Sequence, residues 1–189
     1  LFDSRGRPIV VGAINNQSTG LDFFVRRYSP GGNAQFTASE TSRGKIDDIP
    51  VKAVLDNSNS VLIAGNSLRN NPGSEAMILK VDDQGSIIWA HSVGASDKPG
   101  DKVNDVVSTS DNGIVIAGGK TNPPFGIDMA NAKFDTNGAN IWDVRGSLIE
   151  DGSVFDIATA IDIDPRGDVI LVGISNFQAS GNGTQVGRN

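Results

Sequence analysis

Asp105-Val106-Val107-Ser108-Thr109-Ser110-Asp111-Asn112-Gly113-Ile114-Val115-Ile116-Ala117-Gly118 reads as two short strands joined by a tight turn. Residues 105–109 alternate in polarity, 110–113 carry turn chemistry, and 114–118 form a continuous apolar run of mostly β-branched residues ending in glycine. Downstream, a longer polar loop is expected over 119–127 and a strand over 128–134. A tight turn Asp135-Thr136-Asn137-Gly138 follows, then a strand carrying Ile141 and Trp142. The unit therefore has four strands.

The unit is one of a series. The apolar run ending in glycine stands at 9–12, 61–65, 114–118 and 169–173, so Gly12, Gly65 and Gly118 lie 53 residues apart and Gly173 another 55 on. Arg27, Lys80 and Lys133 keep the same step, as do the turn glycines Gly32, Gly85 and Gly138 and the aromatics Phe36, Trp89 and Trp142. A period of this size implies one supersecondary unit per repeat, with neighbours burying faces that no unit buries alone. No segment sustains apolar residues at helical spacing, so the chain is expected to be all-β. Four-stranded antiparallel meanders at a period of about 53 match the sequence form of β-propeller blades. The intervals run approximately 1–55, 56–108 and 109–163, with a partial one at 164–189. They make 1–189 a single partial propeller of about three and a half blades.

The 189 residues are 38% hydrophobic, enough for the core of one ordinary domain. A net charge of -6, with sixteen basic residues scattered and never clustered, argues against nucleic acid as a partner. No stretch approaches the roughly 18–20 apolar residues of a membrane-spanning helix, so membrane insertion is not expected. There is no cysteine, which excludes disulfides and thiolate metal sites. The chain opens at Leu1-Phe2-Asp3 without an initiator methionine and already inside a repeat, so a preceding segment with any targeting signal is expected.

Loop lengths are expected to alternate. Short turns fall at 56–60, 110–113 and 164–168 and at 29–32, 82–85 and 135–138. Longer polar connections are read at 13–21, 66–75 and 119–127 within repeats, and at 40–48, 96–104 and 147–156 between them. In an antiparallel meander alternate connections emerge at opposite ends, so the long loops share one face.

At these landmarks the chain resembles the SBBP-type β-propeller repeats of bacterial secreted and surface proteins. The clearest copy carries the apolar run 61–65, Lys80-Val81-Asp82, Gly85, Trp89, Asp101 and Asp105. A further copy keeps Lys133, Asp135, Gly138 and Trp142, while the first has Arg27, Tyr28 and Phe36 in place of Lys, an apolar residue and Trp. The resemblance covers essentially the whole chain and implies a blade rather than a chemistry, in an extracellular or cell-surface bacterial setting. Closed propellers need four or more blades, so either the chain is part of a longer protein or arcs associate; an open arc leaves edges unpaired.

Three functions are carried forward. The favoured one is a non-enzymatic, secreted or surface-associated propeller segment that binds a protein or glycan through its long-loop face, with Asn70, Asn71, Pro124 and Phe125 as contacts. The second is a propeller-type carbohydrate hydrolase or lyase whose carboxylates meet near the axis, with Asp156, Glu150 and Asp151 the nearest candidates. The third is a structural part of a filament or envelope assembly. Asp48, Asp101 and Asp156 fall at equivalent positions. They form either an acidic ring able to bind a ligand or a hard cation such as calcium, or carboxylates that each accept backbone N–H bonds locally, the reading given more weight. No dedicated metal site, cofactor or catalytic residue is assigned. Trp89 and Trp142 are read as packing between repeats, and Arg27, Lys80 and Lys133 as repeated salt bridges or snorkelling stems. His91, the sole histidine, is read as structural and Arg166-Gly167-Asp168 as a plain turn.

Overall fold

The computed structural model describes residues 1–40, 46–69, 73–93, 101–122, 126–146 and 154–176. These residues contain thirteen strands and no helix. The first sheet is a meander of β1 (Ile9–Asn16), β2 (Gly20–Tyr28) and β3 (Ala34–Glu40). The second is β4 (Asp47–Leu55), β5 (Val61–Arg69), β6 (Gly73–Val81) and β7 (Ile87–Val93). The third is β8 (Lys102–Ser108), β9 (Ile114–Asn122), β10 (Gly126–Phe134) and β11 (Asn140–Gly146), followed by the hairpin of β12 (Val154–Ile163) and β13 (Val169–Asn176). Sequential strands within each meander pair antiparallel; a short parallel contact, Gly126 with Val154 and Ile127 with Phe155, ties β12 to β10.

Local chemistry explains the turns. Asp3, Asp56, Asp82, Asp135 and Asp164 each accept the backbone N–H groups two and four residues ahead at 2.7–2.9 Å. Each carboxylate thereby holds its own turn closed. The fourth turn position takes a positive φ, filled by Gly6, Gly85, Gly138 and Gly167 and by Asn59, a residue type that tolerates this region.

The glycine ending each apolar run has a second cause. β4, β8 and β12 each carry a bulge, at 50–52, 103–105 and 158–160, opposite Gly65, Gly118 and Gly173. A Cβ on these glycines would overlap the carbonyl oxygens of Ile49, Lys102 and Ile157 respectively. Only glycine lets the bulged backbone approach so closely.

The sheets stack face to face, and the two-residue strand period divides each apolar run between two neighbours. Val61, Ile63, Met77 and Leu79 pack with Ile9, Phe23 and Val25 of the first sheet. Leu62, Ala64, Ala76 and Ile78 pack with Ile114, Ile116 and Phe134 of the third. Val115 and Ala117 turn the other way, onto Ala158 and Ile161. Burying each such branched side chain contributes about 1.5–3 kcal/mol, so the stacking faces supply most of the driving force. At the strand ends of the stack, β8 lies between β4 and β12. Asp105 joins all three strands, accepting Lys52 Nζ at 2.6 Å and the Ile161 N–H at 3.0 Å.

The expected long loops within repeats are corrected. Strand pairing runs on to Asn16, Arg69 and Asn122 and resumes at Gly20, Gly73 and Gly126, so most of 13–21, 66–75 and 119–127 is strand. These segments read as loops because they are polar, but a ladder needs only backbone groups. Asn66 shows how a polar side chain is accommodated: its amide exchanges two hydrogen bonds with the backbone of Val103, at 3.0 and 2.8 Å.

Candidate functional site

Antiparallel pairing puts the Asp-closed turns at one end of the strands. The β2–β3 and β8–β9 turns share that end, while the β1–β2 connection and the starts of β4, β8 and β12 lie at the other. Asn70, Asn71, Pro124 and Phe125 lie outside the described residues. The same holds for Glu150 and Asp151.

Asp48, Asp101 and Asp156 stand near the starts of β4, β8 and β12, and all three are buried. Asp101 Oδ1 accepts the Thr121 N–H at 2.9 Å, while Asp48 faces Ser67 and Asp156 faces Ser175 in their strand ladders. Sequence reading missed a second series, Asp22, Glu75 and Asp128 on β2, β6 and β10, which is also buried. Its signal was present, since these residues are 53 apart. In the second sheet the two series share a row, with Ser67 between Asp48 and Glu75. Among the described residues, no group of three or more His, Cys, Asp or Glu is placed to hold a metal ion.

Electrostatics separates two other acids, Glu40 and Asp105. Glu40, at the end of β3, has its carboxyl pushed up by burial and then by the charges of Asp22 and Asp48. Asp105 moves the other way: burial raises it, but Lys52 and the N–H groups of Ile161 and Val106 more than offset this and hold it below the usual range. A carboxyl stabilised as the anion is poorly suited to act as a general acid.

The basic series lies toward the opposite end, where Arg27 and Lys80 form clamps between sheets and Lys133 a pair within the third sheet. Arg27 binds both the carboxylate and the carbonyl of Asp83 in the β6–β7 turn. Arg7 joins them, its Nε 2.6 Å from Asp3 and its Nη2 2.5 Å from Asp83. Burial pushes the Asp83 carboxyl up, but the two guanidiniums outweigh that and hold it low. Lys80 is buried against Asp56 at 3.0 Å and reaches the β10–β11 turn, where Thr136 Oγ1 lies at 2.9 Å. Lys133 pairs with Asp111 at 2.8 Å. These contacts consume the cations in bridging and leave them poor anion receptors.

Phe36 and Trp89 also work between sheets. A Cβ on Gly85 would stand 2.5 Å from the Phe36 ring, and one on Gly138 would stand 2.6 Å from His91 and 2.9 Å from Trp89. Trp89 donates its Nε1–H to the Thr136 carbonyl at 3.0 Å and stacks on His91 with ring centroids 5.5 Å apart. Both turn glycines thus receive an aromatic group from the preceding sheet. Arg166 pairs with Asp164 and Asp168 within its own turn, each at 3.0 Å.

Neither a family model nor a curated protein matches this chain.

Proposed function

We propose that the chain is a propeller-type scaffold segment, non-enzymatic and secreted or surface-associated, that binds a protein or glycan at the end opposite its Asp-closed turns. The observation that carries this reading is the division of labour between the two strand ends. One is tied by repeated carboxylate turns and inter-sheet cation clamps, which leaves the other as the end available to a partner. The period of the sequence markers and its resemblance to SBBP-type repeats support the same reading. A glycan array and a panel of purified bacterial surface proteins probed with the chain should give saturable binding. That binding should be lost in a combined Asn70→Ala, Asn71→Ala, Pro124→Ala, Phe125→Ala variant. Binding unchanged in that variant would remove the assignment.

A second reading, part of a larger ring or assembly, is favoured by the outward faces of the end sheets. Val10 is 49% exposed, whereas Ile63 and Ile116, at the matching positions, are 0% and 5%. On the far side Ile170 and Val172 are 49% and 59% exposed, against 1% for both Val115 and Ala117. Such rows are the kind that associate. Light scattering that finds one chain per particle, up to high concentration, would count against association of copies.

A further inference from the structure

The three stacking interfaces are not equally filled. In the first, the Phe23 ring lies over Gly65, its Cζ 2.7 Å from where a Cβ would stand; in the last, Met129 Cε lies 2.5 Å from the same point on Gly173. The matching residue in the middle interface is Ala76, and the matching glycine, Gly118, has only backbone atoms of Lys102 and Val103 as its nearest neighbours. Two opposing positions shrink as well: Met77 and Leu79 line the first interface, and Ala130 and Ala132 stand 53 residues later. Enlargement falls nearer the Asp-closed turns, where Val25, Ala53, Val61 and Val81 of the first interface are matched by Ile78, Val106, Ile114 and Phe134. The result is a cavity of about 380 Å³ between the second and third sheets, at the size of small-molecule pockets. Its wall includes Ala76, Gly118, Ala130 and Ala132, in the place where the first interface holds an aromatic ring.

The polar groups at this cavity narrow its occupant. Lys120 is balanced by Asp143, its Nζ 4.0 Å from Oδ2, and Asn140 supplies a neutral donor and acceptor, whereas Asn131 and Lys102, one residue out of step with Ala130, Ala132 and Val103, belong to the other face of the sheet. Asp101 is already engaged by the Thr121 N–H. Balanced charges select neither an anion nor a cation, whereas the Asn140 amide suits a neutral hydroxyl or amide. We infer that the cavity is a binding site for a small planar aromatic molecule with an uncharged hydrogen-bonding head. The ring occupies the space left by Ala76, Ala130 and Ala132, and the head meets Asn140. This site goes beyond the function proposed above, since it uses none of residues 70, 71, 124 and 125.

The test titrates the chain with N-acetyltyrosinamide, and separately with indole, benzoate, benzylamine and methyl glucoside, by calorimetry. N-acetyltyrosinamide and indole should bind saturably, with dissociation constants at or below about 1 mM, a modest affinity for ligands of their size. The benzoate and benzylamine charges should each weaken binding. Ala76→Phe and Ala130→Met restore the side chains of the neighbouring interface and should each weaken ring binding at least tenfold, while Val10→Ala on the outward face leaves it unchanged. Intermolecular NOEs from the indole protons to the methyls of Ala130 and Ala132 report the site in the unmutated chain, whatever the variants do to folding. Absence of saturable ring binding, absence of those NOEs, or tighter binding of methyl glucoside than of the aromatic probes would each overturn the assignment.

Discussion

Replacing Phe23 with alanine measures what the filled interface contributes. The Phe23 side chain is 0% exposed, and its ring lies between β2 and the glycine face of β5. Removing a fully buried ring costs about 3 kcal/mol of transfer free energy, the upper part of the range for one large apolar side chain. A second contribution depends on whether the surroundings can close. Here they are held apart, because the carbonyl of Ile49 and the Cα of Pro50 already crowd the Gly65 position, so the strands cannot advance into the space. The expected loss is therefore in the upper half of the phenylalanine-to-alanine range, about 4–5 kcal/mol. Urea denaturation followed by far-UV circular dichroism gives the value directly, with the slope unchanged if the transition remains cooperative. A loss below about 1 kcal/mol would refute the reasoning, since it would mean that the ring is not packed as the Gly65 contact requires.

Three other outcomes follow from single groups. Glu40→Gln should raise the melting temperature at pH 7: a carboxyl raised in the folded state is more easily ionised when unfolded, so ionisation costs stability above its folded pKa. Melting scans should show that gain shrinking as pH falls toward 4.5 and vanishing below it; a constant gain would exclude ionisation as the cause. Asp111 has the opposite sign, held down to about 2 by its hydrogen bonds from Lys133 and Thr109, so its contribution is present above pH 3.8 and is lost as pH falls through about 2. Because Asp111 is largely exposed, Asp111→Asn should lower stability only slightly at pH 7, and a large loss in thermal melts would contradict the placement. Asp56→Ala should cost about 3–5 kcal/mol in urea titrations, since it strands the buried Lys80 ammonium and opens the turn that Asp56 closes. Lys80→Met, which leaves the turn bonds intact, should cost less, and the reverse order would show that the stranded Asp56 carboxylate and the lost contact with Thr136 outweigh the turn.

Much of the architecture was legible in the chain because its causes are local. Turn aspartates bind N–H groups two and four residues away, turn glycines are needed for a positive φ, and β-branched runs pair into ladders. The hairpin at 105–118 could be read from its β-branched run and turn residues, with β8 starting slightly earlier, at Lys102, and with Asn112 rather than a glycine taking the positive φ. The polar ends of β1, β5 and β9 misled the reading because composition reports solvent preference, while the ladder is decided by the neighbouring backbone. Of the candidate contacts, Asp48, Asp101 and Asp156 were found by period alone, but their burial, and the neighbouring acids on β2, β6 and β10, depend on strand register.

By itself the sequence determined an all-β chain of short strands and Asp-closed turns, because those interactions span only a few residues. Which face each apolar residue serves, and therefore where Ala76, Ala130 and Ala132 meet to leave a cavity, was decided only by the tertiary structure. The spacing of 53 residues is visible in the chain, but a void belongs to two sheets at once, and close packing is a property of their contact rather than of either strand.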